Sequence, residues 1–520
     1  MAEFRFKMRQ VGVMVTVSLQ RVVVDPAQFV SLLSERIRQS KIPLSERIAS
    51  ILAWSSAGLV LQNREELHWA APSDSSIGTL RRKYYEDSRG EFYADFPQRE
   101  SIKINSPRVS DGGEIRVLYY LNNSEPHTKS GYTVRSRGIL KSLDDGDVEV
   151  YPVTRLGYPA SVGRLASSPR ESSQGLIYRR LIPRVMPFCP SSIRSKAVEM
   201  LNEQIAQKPV DVLHTTTPFR NALVVAEVAE NWGIPWIYEV RGQPEDTWLS
   251  KREEEGQKDA RDSAFYRRSR KQETAAMHSA NAVIVLSKVQ KDGLISRGIE
   301  EDKIFVAPNA VDDRELADLR KLGATRSRSS IRKELGLPRD RKLVGIISSL
   351  VGYEGIDVLL EAFEKLPPDV GLVVVGDGEA RVDLEKKAKD LRLGSNVTFV
   401  GRKPAEEIGK WYAALDLFVV PRKDTDVTRA VTPIKPVMAL AIGCPVIASD
   451  LPPLREITGG LARYVEPGNP AALADTIAEE LADPSVQRGT EEFAEKHSWG
   501  FVSETYRHIY KHLVRLGSLR

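Results

Sequence analysis

Cysteine is nearly absent from this sequence: Cys189 and Cys444 are the two among 520 residues. That excludes a disulfide framework and a Cys-x-x-Cys metal box, and makes the cytosol the expected compartment. The seven histidines are scattered, with no His-Glu-x-x-His or equivalent cluster, so no metal site is expected. Long apolar runs are lacking too. ILAWSSAGLVL at 51–61 falls well short of the roughly 18 residues that span a membrane, and no apolar core follows the basic start MAEFRFKMRQ. Neither a membrane span nor an export signal is expected, and any membrane contact would be peripheral. Charge of one sign is scarce: 75 Lys and Arg against 70 Asp and Glu give a net +5. This gives weak support for an acidic partner and none for a nucleic-acid binder. No GxGxxG follows a first strand and no GxxxxGKS or GxxxxGKT occurs, which removes the main support for a dinucleotide redox enzyme or a P-loop NTPase.

What is present is a large globular composition, 41% hydrophobic and 28% charged. At roughly 150 residues per domain the chain has room for three or four. The first region, 1–110, opens with VGVMVTVSL and RVVV, whose β-branched residues predict strands; VSLLSERIRQ and SERIASILAW predict amphipathic helices. A small mixed α/β accessory module is expected there, ended by the turn-rich PRVSDGGE at 107–114.

From 111 to 335 the sequence alternates short apolar runs with helical stretches: IRVLYYL, VEVYPVT, VDVLHTT, PWIYEV, AVIVLS and IFVAPN. The region 336–490 repeats this with KLVGIIS, VGLVVVG, NVTFVG, ALDLFVV and CPVIASD, and 491–520 is expected to be helical and to pack back across the domains. Continuous apolar strands separated by helices predict parallel sheets covered on both faces. The fold class is therefore α/β, two doubly wound domains in tandem, with a ligand crevice between the carboxyl ends of their strands. The basic segment 312–342 reads either as a solvated helix and linker or as a rim facing a phosphate or membrane surface.

Chemistry concentrates at a few places. Gly376 and Gly378 in VVVGDGE form a turn after a strand, where glycine allows a phosphate or sugar to approach backbone amides, although an ordinary turn explains them equally. In PRKDTDVTRAVTPIKPVMALAIGCPVIASD, Thr432 can cap a short apolar helix ended by Gly443, and Lys435 adds positive charge at its amino end, a combination suited to an anion. Asp424 and Asp426 read as loop charge.

These stretches resemble a known family. YEGIDVLLEAF, VVVGDGE, NVTFVGR, ALDLFVVPR, VTPIKPVMALAIGCPVIASD and LREI, preceded by SGYTVRS, HTTTPFRNALV, YEVRGQPED and VAPNAVD, are similar to family 4 retaining glycosyltransferases of GT-B architecture, in the branch of bacterial polysaccharide and cell-surface glycan pathways. The resemblance covers about 114–515, including SWGFVSETYRHIY, and leaves 1–110 outside. It implies two Rossmann-like domains, with a nucleotide-diphosphate sugar on the C-terminal one and a glycan or lipid-linked acceptor on the N-terminal one. It implies no metal or other cofactor, and it leaves peripheral contact with the inner face of a membrane, or a homo-oligomer, open.

Two departures stand out. Where the family's acidic pair is expected, Arg429 and Ala430 fill the first position and Met438 the second; methionine accepts hydrogen bonds only weakly. An inactive, binding or regulatory homologue is the alternative this raises. Where relatives carry Arg and Lys after the first donor-domain strand, this chain has Ser349 and Glu354. The diphosphate-binding charge is therefore assigned to Arg422 and Lys435, with the amino end of the helix at 436–442. On the acceptor side, Gly131 would let the first loop approach sugars and Arg135 would meet an anionic acceptor or be a surface charge. His214 would contact acceptor or cap a helix. Glu239 and Arg241, after an apolar strand, are expected to face the cleft as the catalytic candidates. Asn309 and Asp312 resemble the interdomain hinge, where turn formation alone explains them.

Overall fold

The computed structural model describes residues 2–24, 76–97, 114–144, 147–254, 256–257, 259–482 and 491–518. Each apolar run of the two long regions contains a strand. The first sheet comprises β1 (Ile115–Leu121), β2 (Val148–Thr154), β3 (Arg170–Ser173), β4 (Leu176–Arg180), β5 (Val212–Thr216), β6 (Trp236–Val240), β7 (Ala282–Val285) and β8 (Ile304–Val306). Its order is β3-β4-β2-β1-β5-β6-β7-β8, parallel apart from the β3–β4 pair. The second comprises β9 (Lys342–Ile347), β10 (Val370–Val375), β11 (Val397–Gly401), β12 (Leu417–Val420), β13 (Val446–Ser449) and β14 (Arg463–Val465). It is wholly parallel, in the order β11-β10-β9-β12-β13-β14. These are the two Rossmann-like domains of a GT-B fold.

In both sheets the strand order reverses beside the first strand. β1 lies between β2 and β5, and β9 between β10 and β12. Loops leaving the carboxyl ends at such a switch point diverge to opposite faces and leave a crevice. Burial on both faces explains the unbroken apolar runs. In β1, Val117, Tyr119 and Leu121 join the core under Ile139, Leu140 and Leu143, while Leu118 and Tyr120 join the opposite one.

The carboxyl-terminal helix Trp499–Ser518 belongs to the first of these cores, through Val502, Tyr506, Ile509 and Tyr510. The preceding helix Glu491–Lys496 packs Phe493 and Ala494 into the second domain. The chain thus crosses back between the sheets, pinned where Val311 N donates to His497 O at 2.8 Å and Trp499 N donates to Val311 O at 3.0 Å.

The amino-terminal region departs from expectation. VGVMVTVSL and RVVV are not strands; they lie in one helix, α1 (Ala2–Val24), followed by α2 (Ser76–Glu91). Alternating valines mimic a strand, but Phe6, Val13 and Val17 also fall on one helical face, which packs against Tyr151, Leu156 and Met186 of the first domain. Tertiary packing overrides β-propensity here. Buried Gln10 fixes the docking, donating to Ala166 O at 3.0 Å and accepting from Ala166 N at 2.7 Å. The helices expected at 30–39 and 45–54, the run at 51–61 and nearly all of the 107–114 linker lie outside the described residues.

The basic 312–342 segment forms helices Asp313–Thr325 and Arg328–Leu335. Arg328 and Arg332 are bound to Asp416, and Arg326 to Glu334. These three cations are therefore part of the domain's own ion pairs.

Gly138 sits in α3 (Gly131–Leu143) where a Cβ would come within 2.1 Å of the Trp499 indole nitrogen. Gly138→Ala should lower unfolding stability by about 1–3 kcal/mol through overpacking, with a shift in tryptophan emission as Trp499 is displaced. Urea unfolding followed by fluorescence measures both.

Candidate functional site

At the switch point of the first sheet, Tyr119 of β1 and His214 of β5 are register neighbours with rings stacked 4.1 Å apart. One strand further, Glu239 lies in the otherwise apolar β6, and a carboxylate buried there needs compensation. It is fully engaged. Arg135 Nε donates to Oε1 at 2.7 Å and Tyr506 OH at 2.9 Å; Arg241 Nη2 donates to Oε2 at 2.8 Å, and Tyr119 OH donates to the same oxygen. Burial alone would raise this carboxyl, but Arg241 and Arg135 hold it well below the usual range.

The expectation that Glu239 and Arg241 face the cleft therefore fails: Glu239 is 0% and Arg241 5% exposed. Nor does Arg135 reach out to an anion. It donates to Pro308 O, Asn309 Oδ1, Ala307 O and Tyr506 OH at 2.7–3.0 Å. His214 caps no helix and is fully buried, with Nδ1 2.9 Å from Tyr510 OH. Burial lowers its pKa despite the neighbouring Glu239, so the imidazole is neutral at physiological pH. All four are held by other groups of the chain itself. Gly131 opens α3 with free space around its Cβ position, so no close approach demands glycine there.

At the switch point of the second sheet the arrangement is looser. Arg422 follows β12, and its Nη2 donates to Glu354 Oε1 at 2.8 Å; Lys435 Nζ donates to the same oxygen at 3.0 Å and to Ser348 Oγ, just beyond β9, at 2.6 Å. Burial opposes ionisation of Glu354, yet Arg422 and Lys435 bring its pKa down to about 2. Three buried polar atoms in this cluster have no hydrogen-bond partner: Glu354 Oε2, Arg422 Nε and Thr432 Oγ1. Lys435 keeps 23% of its side chain exposed. Two cations against one carboxylate leave a local excess of positive charge open to an anion.

Several expected details change. Thr432 does not cap the following helix; that helix, Lys435–Ala441, starts after Ile434 without a side-chain cap and is only seven residues long, so the charge rests on the side chains. Gly376 and Gly378 serve packing: a Cβ would come 1.7 Å from Ser348 O or 2.3 Å from Leu350 O, and Gly376 has a φ of +141°. They let the loops after β9 and β10 touch. Met438 is buried among Val437, Leu440 and Val446. Asp424 and Asp426 pair with Arg429 and Arg261. Asn309 bridges the domains, its Nδ2 donating to Thr432 O at 2.9 Å, while Asp312 caps helix Asp313–Thr325. Among the described residues no group of three His, Cys, Asp or Glu is placed to hold a metal ion.

Sequence reasoning missed Glu273 and Arg297, beneath the loops after β5 and β6. Glu273 accepts from Phe219 N at 2.8 Å and Tyr238 OH at 2.6 Å; Arg297 Nη1 donates to Glu245 at 2.9 Å. Burial and the nearby Glu245 raise the Glu273 carboxyl to about 7. A raised carboxyl pKa favours folding below the ordinary value of 4.5, and that contribution is lost as pH rises through about 7. Glu273→Gln should flatten the fall in stability between pH 5 and pH 8 by about 1–3 kcal/mol. Denaturant midpoints at both pH values test it.

Residues 327–497 match the family model described as Glycosyl transferases group 1, and residues 130–310 the Glycosyl transferase 4-like domain. The chain is 30% identical over 243 residues to D-inositol 3-phosphate glycosyltransferase of Mycolicibacterium smegmatis, covering 44% of this chain and 52% of that one. To alpha-monoglucosyldiacylglycerol synthase of Streptococcus pneumoniae it is 27% identical over 308 residues, 57% and 64% of the two chains. It thus spans about half the length of the first relative and under two thirds of the second. Among solved structures, sucrose-phosphate synthase of Thermosynechococcus elongatus superposes with a TM-score of 0.60 at 20% identity, over 77% of this chain and 100% of that one. Anabaena HepE in complex with UDP superposes at 0.56 and 18%, over 77% and 99%. Across both of its sheets, then, this is a GT-B chain related to the 4-like glycosyltransferases.

Proposed function

We propose that the chain transfers a sugar from a nucleotide-diphosphate sugar, bound against the second sheet, to a glycan or lipid-linked acceptor, bound against the first, with retention of anomeric configuration. The observation that carries this reading is the pairing of Arg422 and Lys435 at the β9/β12 switch point around a single carboxylate oxygen, with partnerless polar atoms beside them. Departure of a nucleoside diphosphate builds negative charge, and fixed cations at that place lower the barrier. The family-model matches support the reaction class. The relatives, a D-inositol 3-phosphate glycosyltransferase and an alpha-monoglucosyldiacylglycerol synthase, support an acceptor hydroxyl on a phosphorylated or lipid-linked molecule. No protein nucleophile, metal or other cofactor is invoked. With Cys189 and Cys444 in no disulfide among the described residues, the setting proposed is cytosolic.

A second reading rests on Met438, which stands where the family resemblance implies a carboxylate that would hold donor hydroxyls. On that reading the chain binds a nucleotide or glycan, or regulates a partner enzyme, without turnover. Purified full chain incubated with a panel of nucleotide sugars and lipid-linked acceptors, with products read by mass, separates the two. Transfer supports the first reading; nucleotide binding with neither hydrolysis nor transfer overturns it.

Glu354 is ionised at physiological pH, so an incoming diphosphate competes with it for the same two cations. Glu354→Gln should tighten nucleoside diphosphate binding about tenfold, whereas Arg422→Ala and Lys435→Ala should weaken it by about tenfold to a hundredfold. Titration calorimetry on variants whose unfolding is checked in parallel measures this. Equal affinity in all four proteins would place the donor elsewhere.

A further inference from the structure

α1 has two apolar faces. One is docked on the first domain through Phe6, Val13 and Val17. The other carries Phe4, Met8, Val11, Val15, Leu19 and Val22, spaced three or four residues apart and 42–68% exposed. That spacing sets them in one straight stripe along a helix of 23 residues, roughly 34 Å long. Scattered exposed apolar residues need no explanation, but six in register form a surface that water alone does not favour.

The flanks indicate the partner. Arg5 and Lys7 fall on opposite sides of the stripe by helical spacing. The two loops that hold α1 each present a cation next to an exposed apolar side chain, Arg164 with Leu165 and Arg184 with Val185, the latter valine 78% exposed. Their neighbours Ala166 and Met186 contact α1. Arg5, Arg164 and Arg184 have no carboxylate partner among the described residues, whereas Lys7 pairs with Glu3 in an exposed i, i+4 contact. An apolar stripe rimmed by unpaired cations matches an anionic bilayer, with acyl chains against the stripe and lipid phosphates against the arginines. A protein partner would favour a compact patch with aromatic anchors, and Phe4 is the stripe's one aromatic residue. No described helix is long and apolar enough to cross a membrane, so the contact is in plane.

We infer that the outer stripe of α1, with Arg5, Arg164 and Arg184, seats the protein on an anionic lipid surface. This goes beyond the sugar-transfer reading and stands without it, since α1 lies outside both family matches. The test is co-sedimentation of the full chain with vesicles of phosphatidylcholine containing about 30% phosphatidylglycerol, against phosphatidylcholine alone, at low and high salt. The expected result is binding to the anionic vesicles that drops at high salt. Val15→Glu with Leu19→Glu should weaken it at least tenfold, and Arg164→Ala with Arg184→Ala by several-fold, with melting midpoints unchanged. Absence of vesicle binding by the unaltered chain, or equal binding by the glutamate variant, overturns the inference. So does light scattering that shows a dimer which the glutamate variant dissociates, since the stripe would then be an interface between copies. A melting midpoint lowered several degrees in that variant would show the stripe already covered by the chain itself, and overturns it as well.

Discussion

One buried carboxylate organises the first domain. Glu239 sits where a β-strand is covered on both faces, and a charge there is tolerable only if its surroundings supply opposite charge and donors in fixed positions. It draws Arg135 from α3, Arg241 from the end of its own strand, Tyr119 from β1 and Tyr506 from the carboxyl-terminal helix onto two oxygens. The last of these is the most distant in sequence, 267 residues away. The return of the chain from the second domain to the first is thus fixed by hydrogen bonding as well as by apolar burial, and the core around β1 is complete only when that helix is in place.

The second domain uses the same device and leaves it unfinished. Glu354 also lies between two cations at a switch point, but one of its oxygens receives both while the other receives nothing, and Lys435 reaches solvent. In the first domain both oxygens of the carboxylate have internal donors, and the atoms left without a partner beside it, Arg241 Nε and His214 Nε2, are buried, so the group holds structure. In the second the accounts of charge and of hydrogen bonds both stay open, which is the physical mark of a place that exchanges partners.

The long regions were legible in the sequence because burial on both faces writes strands as continuous apolar runs: IRVLYYL and VEVYPVT coincide with β1 and β2. The shorter β3 and β4, with sequences RESS and LIYRR, were not legible, since their polar and charged residues carry no such signal. The valines of α1 read as a strand for the reason given by their neighbours: local alternation is real, and only the surface they dock on selects the helical period. Arg422 and Lys435 could be nominated from charge beside a strand end. The burial of Glu239, Arg241, Arg135 and His214 could not, because position at a strand end does not reveal whether later elements close over it, and here helix Trp499–Ser518 does. Glu239 did carry one readable sign, an acid inside WIYEV.

The amide of Asn309 has a consequence for motion. Its oxygen is held by Arg135, and hence by the Glu239 core, while its nitrogen donates to the carbonyl of Thr432, three residues before Lys435. Turning one sheet against the other strains this link before it disturbs either core. Asn309 thus ties the Glu239 cluster of the first domain to the backbone just ahead of Lys435 in the second, and a rotation between the sheets would have to stretch or break that bond.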